Sequence, residues 1–206
     1  MCLALYRNNP NSSKEEFFKK NTNKMSTQNM VLAAILTGIV VLLQFLGSFI
    51  KFGPFSISLV LIPIVIGTAT CGKSIGAWLG LVFGIVVLIS GDAAPFLAIS
   101  VPGTIITVIL KGVACGFFAG LVYKAIEGKN RTMAVATAAV VCPVVNTGVF
   151  LLGCFAFFMS ALTEWAGGDV AKYIIFTLVG GNFLFELLLN IIISPAIVRI
   201  LEFKAK

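Results

Sequence analysis

Histidine is absent from the 206 residues, and only two aspartates occur, Asp92 and Asp169. The first absence removes Ser-His hydrolase chemistry, HExxH metalloprotease sites and histidine-based acyl transfer. The second leaves no multi-aspartate metal centre for phosphoryl or alcohol transfer, because the two carboxylates belong to separate loops. A GxxxxGK[ST] phosphate loop is also missing, so any ATP energy has to come through a partner. Five cysteines, Cys2, Cys71, Cys115, Cys142 and Cys154, show no CxxC spacing. The last three lie in apolar runs, where a thiol behaves as a small hydrophobe. The sequence thus offers no catalytic residue, no metal ligand set and no cofactor motif; the chain is not expected to be an enzyme.

Charge is scarce too. Charged residues make up 11% of the chain against 59% apolar, and the mean hydropathy is +1.05, which places the chain in the membrane class. The net charge of +7 does not point to nucleic acid, because the basic residues are scattered through short loops instead of forming one basic face. Each crossing of about 30 Å of hydrocarbon takes roughly 20 apolar residues, so six spans with short loops consume nearly everything after residue 29.

The expectation is an all-α polytopic membrane protein, a bundle of about six transmembrane helices over residues 30–203, preceded by a polar tail at 1–29. The tail has no apolar core long enough for a signal peptide and reads as disordered and cytoplasmic. Its first 24 residues lie upstream of Met25, a candidate functional start. Spans are expected at 30–50, 55–71, 75–91, 102–126, 133–162 and 170–203, the last two tilted or projecting because they exceed the bilayer thickness. Placing the tail inside puts nearly all basic residues on one side and leaves Lys51 and Lys172 opposite. Both termini are therefore expected in the cytoplasm of a cell-membrane protein.

The outer loops carry Phe52-Gly53-Pro54-Phe55, Gly91-Asp92-Ala93-Ala94-Pro95-Phe96 and Glu164-Trp165-Ala166-Gly167-Gly168-Asp169. Their aromatic residues, Phe55 and Trp165 among them, either anchor the interface or cover a ligand. Pro63, Pro143 and Pro195 fall inside expected spans and predict kinks. Gly76, Gly80 and Gly84, and again Gly112, Gly116 and Gly120, repeat every fourth residue and lay smooth packing stripes on spans three and four. Ala33, Ala34, Thr37 and Gly38 form a similar stripe on span one, suited to docking another helix.

Ionisable groups in hydrocarbon cost several kcal/mol, so the few present face a cavity or a partner. Lys111 lies about ten residues into span four, roughly 15 Å deep at about 1.5 Å per residue. Glu186 falls within span six, with Asn182 and Asn190 one turn to either side on the same face, and Asn146 adds a polar group in span five. Two readings stand: Lys111 and Glu186 neutralise each other inside the bundle, or Lys111 meets an anionic or carbonyl-bearing solute while Asn146, Asn182 and Glu186 read its hydroxyl and amide groups.

Residues 30–38, 52–64, 110–123 and 181–195 resemble a substrate-binding S component of the energy-coupling factor (ECF) transporters, the bacterial vitamin uptake systems. The resemblance spans about residues 28–203. It implies six helices, an outward-facing pocket for a vitamin-like solute, and docking through an AxxxA-type stripe on the first helix onto a transmembrane coupling subunit above two ATPases. Ala34-Ile35-Leu36-Thr37-Gly38 fills that place, with Gly38 for the second alanine. Among family substrates Lys111 favours an anion such as pantothenate, with riboflavin or folate close behind because Phe52, Phe55 and Trp165 suit a flat ring. A gradient-driven secondary transporter using Glu186 is the alternative, although no internal repeat is found.

Overall fold

The computed structural model describes residues 27–49, 51–52, 55–56, 58–174 and 183–205. The described residues form helices apart from one short hairpin and the connecting turns. Its elements are α1 (Thr27–Gly47), β1 (Lys51–Phe52), β2 (Phe55–Ser56), α2 (Leu61–Cys71), α3 (Lys73–Ile89), α4 (Ala94–Leu97), α5 (Val101–Ile126), α6 (Arg131–Phe157), α7 (Met159–Trp165), α8 (Val170–Tyr173) and α9 (Leu184–Ala205). Among the described residues α1, α5 and α6 are long and apolar enough to cross a membrane, and α2 and α3 are shorter apolar helices.

Three expected spans begin or end elsewhere. The stretch expected at 55–71 starts its helix only at Leu61, because Phe55 and Ser56 are taken up by antiparallel pairing with Phe52 and Lys51. The one expected at 133–162 stops at Phe157, where Phe158 leaves helical geometry (φ −124°, ψ 14°) and buries its ring. Within 170–203 the described helices are α8 and α9. Pro63 produces no kink: it occupies the first turn of α2, where no intrahelical donor is required. Pro143 and Pro195 do lie inside helices.

Local chemistry explains the other ends. Ser100 Oγ accepts the Gly103 N–H at 3.3 Å and caps α5, and Asn130 Oδ1 accepts the Met133 N–H at 3.1 Å and caps α6. Gly72, at φ 91°, makes the tight reversal between α2 and α3.

Cross-contacts set the directions. Cys71 Sγ approaches the Asn29 carbonyl at 3.6 Å, so α1 and α2 are antiparallel. Ser48 Oγ donates to Asp92 at 2.8 Å, tying the end of α1 to the end of α3. One end of the bundle thus gathers Lys73, Lys124, Lys129 and Arg131, and the other carries the hairpin and the α3–α4 turn. We call them the basic end and the hairpin end.

At the centre α3 and α5 run antiparallel with their backbones in contact. A Cβ built on Gly76 meets the Gly116 carbonyl, one on Gly80 the Gly112 carbonyl, and one on Gly84 the Val108 carbonyl. The glycine stripes are therefore one shared seam. Around it Leu36, Ile64, Leu79, Phe83, Ala138 and Ile197 form the core. Leu42, Ile89, Leu152 and Ile192 face outward, while Gln44, Thr107, Asn146, Glu186 and Asn190 are buried. An apolar exterior around polar interior groups is the distribution a bilayer imposes. The four described cysteines are free.

Candidate functional site

Three of the residues expected to read a solute come together inside the bundle. Lys111 enters from α5, Asn146 from α6 and Glu186 from the first turn of α9. Glu186 is 1% exposed. Its Oε1 accepts the Ser58 N–H at 2.9 Å, which ties the segment between the hairpin and α2 to α9. The Asn146 side chain faces the same carboxylate. Asn190, one turn along α9, donates from Nδ2 to the Glu186 carbonyl at 2.9 Å and closes the helix face.

Lys111 is half-buried. Its ammonium lies 5.5 Å from the centroid of Phe83 and 5.0 Å from that of Phe150, flanked by two ring faces. It feels the Glu186 charge without closing to an ion pair. Behind Phe150 stands an aromatic cluster. Phe96 meets Phe150 at 5.4 Å, Phe158 at 5.1 Å and Trp165 at 5.5 Å, all edge to face. Trp165 is thus half-buried in this cluster, linked to the Lys111 site through Phe96 and Phe150.

Polar atoms in this interior are left without partners. Thr107 Oγ1, Asn146 Oδ1, Glu186 Oε2 and Asn190 Oδ1 are buried and make no hydrogen bond. Buried acceptors in that state cost roughly 1–3 kcal/mol each, and a ligand bearing hydroxyl and amide donors would satisfy them. Thr107 lies one turn from Lys111 on the same face of α5 and packs against Gly153 of α6.

Other expected residues fall elsewhere. Asn182 lies outside the described residues, and Phe55 is placed only as part of β2. Ala33, Ala34 and Thr37 line a groove of about 500 Å³ on the outer face, completed by Met30, Ile75 and Trp78. Trp78 Nε1 donates to Thr37 Oγ1 at 3.4 Å, and Gly38 faces open space beside it. Sequence reasoning missed Thr107, Ser58, Phe83 and Phe150. Thr107 and Phe150 each lie four residues from a chosen residue, so helical spacing was the available signal. Ser58 had none, being 128 residues from Glu186.

The interior of this apolar helical bundle presents an ammonium, a carboxylate and unpartnered amide and hydroxyl oxygens, groups that a small polar solute would engage. The comparisons agree: residues 28–200 match the model of the ECF transporter substrate-specific component family, and the chain belongs to that family. It is a multi-pass membrane transport protein, not an enzyme, and a substrate-binding subunit of the vitamin type. It is similar to the pantothenic acid transporter PanT of Lactococcus lactis subsp. cremoris (strain MG1363), with 26% identity over 192 residues covering 85% of this chain and 94% of that protein. No solved structure matches the chain.

Proposed function

We propose that this subunit captures pantothenate at the hairpin end and delivers it to an ATP-driven ECF module. The observation that carries the reading is the Lys111 ammonium held between Phe83 and Phe150, facing an interior of unpartnered acceptors. Pantothenate brings one carboxylate for the ammonium. Its two hydroxyls and one amide N–H supply donors for the oxygens of Asn146, Glu186 and Thr107. Asn182, Phe55 and Trp165 belong to the same proposed set. Similarity to a pantothenic acid transporter supports the same substrate.

The groove beside Ala33, Ala34, Thr37 and Gly38 is the docking face for the transmembrane coupling subunit, below which two ATPases supply the energy. The small residues that line it and the open surface at Gly38 support a helix-on-helix contact. Both termini lie in the cytoplasm, consistent with the basic residues of one end.

Calorimetric titration of the detergent-purified chain with pantothenate, riboflavin and folate tests the assignment. Tight binding of pantothenate alone is expected. Tight binding of riboflavin or folate instead would replace the substrate, and proton- or sodium-driven uptake by the chain reconstituted alone would replace the reading with a secondary carrier.

A further inference from the structure

A second cleft lies at the basic end, where α1, α2, α3 and α5 leave a space of about 300 Å³. Its chemistry differs from that of the interior. Lys73 and Lys124 supply two ammonium groups and Glu127 one carboxylate, so the lining is net cationic. Tyr123, only 5% exposed, also lines the cleft, and its phenol makes no hydrogen bond among the described residues. Its hydroxyl is not among the buried unpartnered groups, so it opens into the cleft and is available to an occupant.

The cleft also borders the start of α3. The cap there is Gly72, which offers no side-chain acceptor to the first turn of this 17-residue helix. First-turn N–H groups add partial positive charge to that of the lysines. On the lipid side, the Lys73 ammonium lies 5.4 Å from the Phe117 centroid, and Phe117 and Phe118 are exposed on the outer face of α5. A cationic cleft thus adjoins an apolar track on the membrane-facing surface.

We propose that this cleft binds the phosphodiester headgroup of an anionic phospholipid from the leaflet at the basic end. Lys73, Lys124 and the Tyr123 hydroxyl donate to the phosphate oxygens, the acyl chains run along Phe117 and Phe118, and Glu127 accepts from headgroup hydroxyls. Free phosphate shares the phosphate chemistry but makes no use of the aromatic track.

The test uses the full chain in a neutral detergent. Native mass spectrometry and thermal midpoints are recorded with phosphatidylglycerol, phosphatidylcholine or inorganic phosphate. The expected result is retention of phosphatidylglycerol with a raised midpoint, and little effect of phosphatidylcholine. Lys73→Gln and Lys124→Gln should each weaken that retention about fivefold. Tyr123→Phe, which keeps the ring and its packing, should weaken it about twofold to fivefold. Solute binding in the interior should be unchanged in all three variants. Displacement of the lipid by millimolar inorganic phosphate would overturn the lipid assignment in favour of a soluble phosphate. Equal retention of both lipids, or unaltered retention in the variants, would overturn the site.

Discussion

A single methyl-for-hydroxyl exchange separates binding from packing at Thr107. Its Oγ1 is buried and unpartnered, so Thr107→Val removes an unsatisfied group while keeping the shape. Stability of the unliganded chain should hold or rise, while pantothenate affinity falls about threefold to tenfold for one lost neutral hydrogen bond. Thermal midpoints and titration on the same sample read both. Lys111 and Glu186 carry charge and weigh more: Glu186→Gln is expected to weaken pantothenate roughly tenfold to hundredfold. Lys111→Ala should abolish the preference for pantothenate over its alcohol analogue. An unchanged preference would remove Lys111 from the site.

Lys111, Asn146 and Glu186 were legible in the sequence because charge and amide groups stand out against hydrocarbon. Phe83 and Phe150 were not. A phenylalanine in a membrane helix is ordinary, and only the fold aims these two rings at an ammonium. The Ser58 contact to Glu186 was invisible for a different reason, because a backbone N–H carries no residue-type signal.

Among the elements, the α3–α5 seam gives the sharpest contrast. Alanine is intrinsically better than glycine in a helix by about 1 kcal/mol. At Gly80, however, the added Cβ meets the Gly112 carbonyl, and overpacking costs about 1–3 kcal/mol. Gly80→Ala should therefore lower the thermal midpoint in detergent. Gly38→Ala, with nothing within 4 Å of its Cβ, should leave the midpoint unchanged or raise it. Both stripes read alike in sequence, as small residues at fourfold spacing. What distinguishes them is whether a second backbone fills the groove, which is a tertiary fact. The loop at Phe52-Gly53-Pro54-Phe55 was legible, but not the strand pairing across it, which delays the next helix to Leu61.

For the whole molecule, the proposed docking face and the proposed solute site lie on different surfaces, so they can be damaged separately. Ala34→Trp should fill the groove against Thr37 and Trp78 and block co-purification with a coupling module, with pantothenate affinity retained. Lys111→Ala should show the reverse pattern. Loss of both functions in either variant would mean that the two surfaces are not independent. The helical membrane bundle as a class was legible because hydropathy marks apolar spans. Which polar groups meet was not, because it depends on the order in which α5, α6 and α9 pack around the centre.

Two helices that touch backbone to backbone at matched glycines resist shear, because a register shift brings a residue with a side chain to a place where even an added Cβ meets the facing carbonyl. The α3–α5 pair therefore behaves as a keel, and any motion that accompanies solute capture has to be carried by parts hung from it. Spin labels placed one on α3 and one on α5 should report the same distance with and without pantothenate. A label on the α3–α4 turn paired with one on α7 should report a distance that shortens or narrows.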